Sequence, residues 1–178
     1  MKGKNILLRA LEPTDVDILY KWENDTSIWK ISNTFVPFSK FIIEQYIINS
    51  HEDIYTTKQL RLMIDLTDGE DKENKTVGTI DLFEFDPHNK RAGIAILIRK
   101  DKRQLGYASE ALEILIDYAF NTLNLHQLFC NIDAQNKASL KLFCNFNFKI
   151  IGLKKDWTTY NDKWVDVYML QLLKQNKD

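Results

Sequence analysis

The feature that most constrains this chain is a junction. An unbroken apolar run, Ala92 to Ile98 (AGIAILI), passes through Arg99-Lys100-Asp101-Lys102-Arg103-Gln104-Leu105-Gly106 into a helical pattern that begins at Ala108. The run is short and carries no polar side chain, which suits a central strand buried on both faces. Behind it, Ala108, Ala111, Leu112, Leu115, Ala119 and Leu123 fall on one stripe, while Glu110, Glu113, Asp117 and Asn121 fall on another. That pattern predicts a helix from Ala108 to Asn124, packed along one side. A strand that feeds a helix through a glycine suits an anion. Free N–H groups and the positive end of the helix dipole meet there, glycine lets the backbone approach an oxygen, and Arg99, Lys100, Lys102 and Arg103 supply positive charge. A diphosphate fills such a loop better than one carboxylate; on spacing alone, an ordinary solvated turn reads the same.

The segments on either side fit a single α/β domain over residues 1–178, a length one hydrophobic core can serve. Asn5 to Ala10 reads as a strand, and Pro13-Thr14-Asp15 opens a helix toward Trp22. A polar loop follows at Asn24 to Ser27, and Pro37-Phe38-Ser39 starts a second helix carrying Phe41, Ile42 and Tyr46. Leu60, Leu62 and Ile64 alternate with Gln59, Arg61, Met63 and Asp65, a strand with one buried face. The polar run Leu66 to Lys75, with Asp68-Gly69, turns the chain into a strand from Thr76 to Phe85. Gln127 to Asp133 is a further strand and Asn136 to Asn145 a short helix. Phe148 to Trp157 then pairs with Lys163 to Leu173 around Tyr160-Asn161-Asp162. The order is βααβββαβαββ, seven strands and four helices.

Composition removes several function classes. With 24 Lys and Arg against 25 Asp and Glu, no basic field exists to hold a nucleic acid. No apolar stretch is long enough for a signal or a membrane span, so a cytoplasmic protein with no membrane partner is expected. Cys130 and Cys144 lack zinc-site spacing and form no disulfide framework. His51, His88 and His126 have no ligand partner at helical spacing, so no metal is expected.

Arg103-x-x-Gly106-x-Ala108 resembles the R/Q-x-x-G-x-G/A loop of GNAT N-acetyltransferases, and the element order is similar to that fold along nearly the whole chain. From Lys90-Arg91-Ala92 onward, through Tyr118 to Leu125 (YAFNTLNL), the sequence resembles bacterial spermidine or diamine N-acetyltransferases and also the ribosomal-protein N-terminal acetyltransferases. The resemblance implies a mixed sheet flanked by helices and transfer of acetyl from acetyl-CoA to an amine. The implied acceptor is a polyamine or other small amine, or alternatively a protein N-terminus; a non-catalytic acetyl-CoA-binding module is a third reading. Assembly into a homo-oligomer belongs to the same expectation.

The resemblance also nominates residues. Arg103, Gln104, Leu105, Gly106, Tyr107, Ala108 and Ser109 would wrap the coenzyme pyrophosphate. The pantetheine arm would lie along Ile96, Leu97 and Ile98, with N–H groups near Leu97 or Ile98 polarising the thioester. Asn136 would contact the pantetheine, or simply cap its helix. Glu84 alternates with Ile80 and Leu82, opposite Asp81, Phe83 and Phe85. A carboxylate among apolar neighbours has a raised pKa and suits a general base, although an edge glutamate turned to solvent fits the same pattern. The family's proton-returning tyrosine is here Phe143, which leaves that position a coenzyme contact without a hydroxyl. Ser139, in Asn136-x-x-Ser139, becomes the candidate acid, with simple helix packing as the alternative. Asn147 stands where glycine usual for the family ends the helix. The loop from Asn24 to Pro37 is poorer in carboxylates than in spermidine enzymes, leaving Glu23, Asp81, Glu84 and Asp86 to attract a cation.

Overall fold

In the computed structural model, which describes residues 1–32, 34–68, 75–160 and 162–175, a seven-stranded sheet runs in the order β1-β2-β3-β4-β5-β7-β6. The strands are β1 (Ile6–Arg9), β2 (Leu60–Leu66), β3 (Thr76–Asp86), β4 (Arg91–Ile98), β5 (Gln127–Asp133), β6 (Lys149–Tyr160) and β7 (Lys163–Leu173). Every neighbouring pair is antiparallel except β4 and β5, which run parallel across a helical crossover.

The helices are α1 (Val16–Glu23), α2 (Thr26–Ser32), α3 (Lys40–Asn49), α4 (Ile54–Thr57), α5 (Tyr107–Asp117) and α6 (Lys137–Asn145). The four expected helices are present, and two short ones are added among the described residues. Part of the polar loop after Asn24 is the helix α2, started by Asp25, whose carboxylate accepts from Ser27 N at 2.9 Å. The second, α4, is a single turn capped by Asp53 Oδ1 on Thr56 N and closed by Lys58 in the left-handed region. The second buries only Ile54, and helices this short leave little hydrophobic period in the sequence. The expected turns at Gly69 and Asn161 lie outside the described residues.

The core divides over the two faces of the sheet. On one face α5 and α6 bury Ala111, Leu112, Leu115, Ala119 and Phe143 against Ile80, Leu82, Ile94 and Leu128. On the other, α1 and α3 bury Leu19, Ile43 and Ile47 against Met63. Because helices cover both faces, β2 is not half-buried as its alternation suggested: Met63 and Asp65 are as enclosed as Leu62 and Ile64. Asp65 is tolerated there by an ion network. Arg9 Nε donates to Asp65 at 2.8 Å, Arg9 Nη1 donates to Asp15 at 2.7 Å, and Thr76 Oγ1 donates to Asp65 at 2.7 Å. Asn147 ends the turn after α6 with φ of 65°, the conformation that asparagine tolerates. Helix α5 continues through one π turn, Tyr118–Thr122.

Candidate active site

Strands β4 and β5 pair over only three residues, Arg91 with Gln127, Ala92 with Leu128 and Gly93 with Phe129, and then diverge. Beyond Gly93, β4 keeps β3 as its partner through Ile98, while β5 keeps β7 through Asp133, so a wedge opens inside the sheet. At its apex Phe83 lies over Gly93, where a Cβ would collide with the ring, and meets Phe129 edge-on at 5.7 Å. The expectation that β4 is buried on both faces fails here. Ala95 is exposed and Ile96 and Leu97 are half-buried, because β5 has parted from this half of β4.

The register decides which amides face the opening. Arg99 N donates to Val77 O at 2.9 Å, which continues the pairing of Leu97 with Thr79 and Ala95 with Asp81. In an antiparallel ladder such pairs alternate, so odd-numbered residues of β4 turn their N–H and C=O toward β3. Even-numbered residues turn theirs toward β5, as Lys90 O does in accepting from His126 N at 2.7 Å. The main-chain groups of Ile94, Ile96 and Ile98 therefore face the wedge, and the N–H of Leu97 does not. Ile98 O already accepts from Arg103 Nε at 3.0 Å, fixing the loop to the strand end.

That loop is a 3-10 turn, Lys100–Lys102, followed by Gln104 with φ of 63° and Gly106 with φ of 87°. Gly106 caps α5 without a side-chain hydrogen bond, and the first helical bond runs from Glu110 N to Gly106 O at 3.1 Å. The N–H groups of Tyr107, Ala108 and Ser109 thus have no acceptor within the helix. Nothing lies within 4 Å of where a Gly106 Cβ would stand. Gly106 is therefore demanded by its left-handed backbone, and the space before the helix end is open. Gln104 and Leu105 are exposed beside it. Of the four cations, Arg99 is turned aside by Asp101, at 3.0 Å, and by Thr76 O. The shape and polarity of this corner suit a diphosphate, and the unpaired edge of β4 suits an amide-bearing chain.

Across the wedge, Asn136 Oδ1 accepts from Ser139 N at 3.1 Å, so the capping role is present and the Nδ2 donors remain for other work. Ser139 is half-buried on the first turn of α6. Phe143, one of the expected coenzyme contacts, is a core residue instead. It is 3 % exposed and packs edge-on against Phe148 at 5.1 Å, leaving little surface for a ligand.

The remaining face of the wedge carries the ionisable groups, and the expected placing of Glu84 changes. A bulge shifts the register between Phe83 and Asp86, Glu84 takes φ of 47°, and its side chain is exposed, not set among apolar neighbours. The bulge also turns Phe85 inward, against the strict alternation. The enclosed carboxylate is Asp81, 7 % exposed, whose pKa burial pushes upward against the opposing pull of Arg61. Asp81 pairs across β3 and β4 with the exposed Ala95, directly beside the opening. Arg61 donates from Nε to Asp81 Oδ1 at 2.6 Å and from Nη1 to Glu23 Oε1 at 2.6 Å, and its guanidinium lies 5.5 Å from the Tyr46 ring centre. Asp86 is engaged in its own turn, accepting from Asn89. Sequence reading missed Arg61; the only signal was a cation near the start of an alternating strand.

Residues 5–149 match the family model described as an acetyltransferase (GNAT) domain. An uncharacterized N-acetyltransferase, p20, of Bacillus licheniformis is 29 % identical over 97 % of this chain and 94 % of its own. The spermidine N(1)-acetyltransferase of Vibrio cholerae is 24 % identical over 96 % of this chain and 94 % of its own. A crystal structure of the Vibrio cholerae spermidine N-acetyltransferase in complex with CoA and spermine shares the fold, with a TM-score of 0.81, 22 % identity and 96 % of both chains covered.

Proposed function

The chain belongs to the GNAT acetyltransferase family, and from that premise we propose that it transfers the acetyl group of acetyl-CoA to the primary amine of a small molecule, using the β4–β5 wedge as its active site. The observation that carries this reading is the coincidence of an unpaired strand edge with a bare helix N-terminus at the same strand end. Acetyl-CoA supplies the activated acyl group; the residues of this chain bind it and manage the protons. Its diphosphate fits the N–H groups of Tyr107, Ala108 and Ser109 and the cations of the loop, including Arg103. Its amide-bearing arm fits the edge formed by Ile96 and Ile98, with the Asn136 amide opposite.

An amine attacks only as the free base, so the site must take up a proton, stabilise an oxyanion and release a thiolate. A main-chain N–H of the β4 edge donates to the developing oxyanion in a place where no competing strand occupies it. Asp81 is assigned the proton. It lies beside Ala95 at the opening, and burial makes its carboxylate a better acceptor than an exposed one. Glu84 stands at the rim, where it attracts a cationic acceptor. Ser139 offers a hydroxyl to the leaving sulfur in place of the tyrosine that Phe143 replaces. An acceptor of small size is supported by the spermidine acetyltransferase among the relatives.

Thiol release from acetyl-CoA tests the proposal, measured with simple alkylamines, polyamines and N-terminal peptides. Amine-dependent release with a small amine is expected. Release with none of them, or with peptides alone, overturns it.

A further inference from the structure

The acceptor face of the wedge holds one cation that no step above requires. Arg61 sits near the start of β2, opposite Asp81 on β3, and reaches Glu23 at the end of α1. Three elements and Tyr46 of α3 thus meet around one guanidinium. Its side chain and those of Glu23 and Asp81 are 20 %, 22 % and 11 % exposed, so the cluster is enclosed but not sealed. Two carboxylates without Arg61 would present two negative charges to an incoming amine; with it the cluster carries one.

The chemistry of the acceptor turns on that difference. A monocationic amine moving over Ala95 meets Asp81 first and needs a single carboxylate. A polyamine brings a second ammonium, and the two carboxylates that this enclosed cluster offers, Asp81 and Glu23, are both already bonded by Arg61. The second ammonium would lie within a few ångströms of the guanidinium, in a partly enclosed place where like charges are screened weakly. We infer that Arg61 is a specificity-determining residue that selects acceptors carrying one positive charge and disfavours polyamines. The inference rests on the reading of the wedge as an amine acetyltransferase site.

The test compares kcat/KM of the full chain for n-butylamine, 1,4-diaminobutane and spermidine at saturating acetyl-CoA, a series of similar alkyl character and rising charge. Wild type is expected to favour butylamine over spermidine by about tenfold or more, as expected for like charges a few ångströms apart. Arg61→Met, which keeps length and removes charge, should raise the spermidine-to-butylamine ratio by about tenfold or more, and Arg61→Lys should hold it within roughly threefold of wild type. Glu23→Gln, at a partly exposed position, leaves Arg61 less neutralised and should lower the same ratio; it decides the matter if Arg61→Met does not fold. A merely structural Arg61 would change stability and leave all these ratios alone. Wild-type preference for spermidine, or ratios indifferent to both substitutions, overturns the inference while the acetyltransferase reading stands. Absence of thiol release with every amine overturns both.

Discussion

At the scale of single residues, two carboxylates three positions apart on β3 have different fates: alternation puts them on opposite faces, and the bulge falls at the second. Asp81 faces the enclosed side of the sheet beside the wedge; Glu84 is turned outward with a left-handed backbone. Asp81→Asn is expected to lower kcat/KM by about 10²-fold, the ordinary scale of a lost general base, and Glu84→Gln by only a few-fold. The sign of the pH effect follows from the raised pKa. The folded protein holds the Asp81 proton more tightly than the unfolded chain does, so this group's contribution to stability is full below the ordinary carboxyl value of 3.8 and falls as pH rises through the raised one. Activity has the opposite sense: it appears as pH rises through that raised value, where the carboxylate forms. A pH–rate profile that is unchanged by Asp81→Asn would remove Asp81 from the chemistry. Ser139→Ala should slow transfer by about tenfold, a small effect because a thiolate is already a good leaving group; full activity in single-turnover kinetics would dismiss the hydroxyl.

At the scale of elements, the glycine junction is the feature with the sharpest consequence. Gly106 has φ of 87° and empty space around it, so Gly106→Val introduces strain in the backbone and a branched side chain into the corner assigned to the diphosphate. Loss of acetyl-CoA binding is expected with the melting temperature of the free protein lowered by only a few degrees; calorimetric titration and a thermal melt separate the two. This junction was legible in sequence because one glycine between two strongly periodic segments leaves few conformations. Helices α1, α3, α5 and α6, and all seven strands, were legible from their own apolar period and their turn and cap residues, down to β5, which spans the expected residues from Gln127 to Asp133. What escaped the sequence depended on neighbours. Burial of β2 on both faces follows from where α1 and α3 pack, and the exposure of Ala95 follows from where β5 departs. Neither is written in the strand itself. The bulge at Glu84 carries no glycine or proline to mark it. Arg61 resembled any polar residue of an alternating strand until Asp81 and Glu23 were brought to it.

At the scale of the whole molecule, acetyl-CoA should act as a stabiliser, since the strand edge and helix end that hold it exist together only in the folded chain. At concentrations of about a hundred times Kd the gain is ~2.7 kcal/mol, visible as a rise in melting temperature; no rise at millimolar acetyl-CoA would contradict the assignment. The parting of β4 from β5 has a further consequence, in time and not in space. Amide protons at Ile96 and Ile98 lie in the middle of a sheet yet point at solvent, so in the free protein they should trade for deuterium far sooner than those of Leu97 and Ala95, bonded into β3. Occupation of the wedge would invert that contrast, and the exchange clock of two isoleucines would then report whether the sheet is whole.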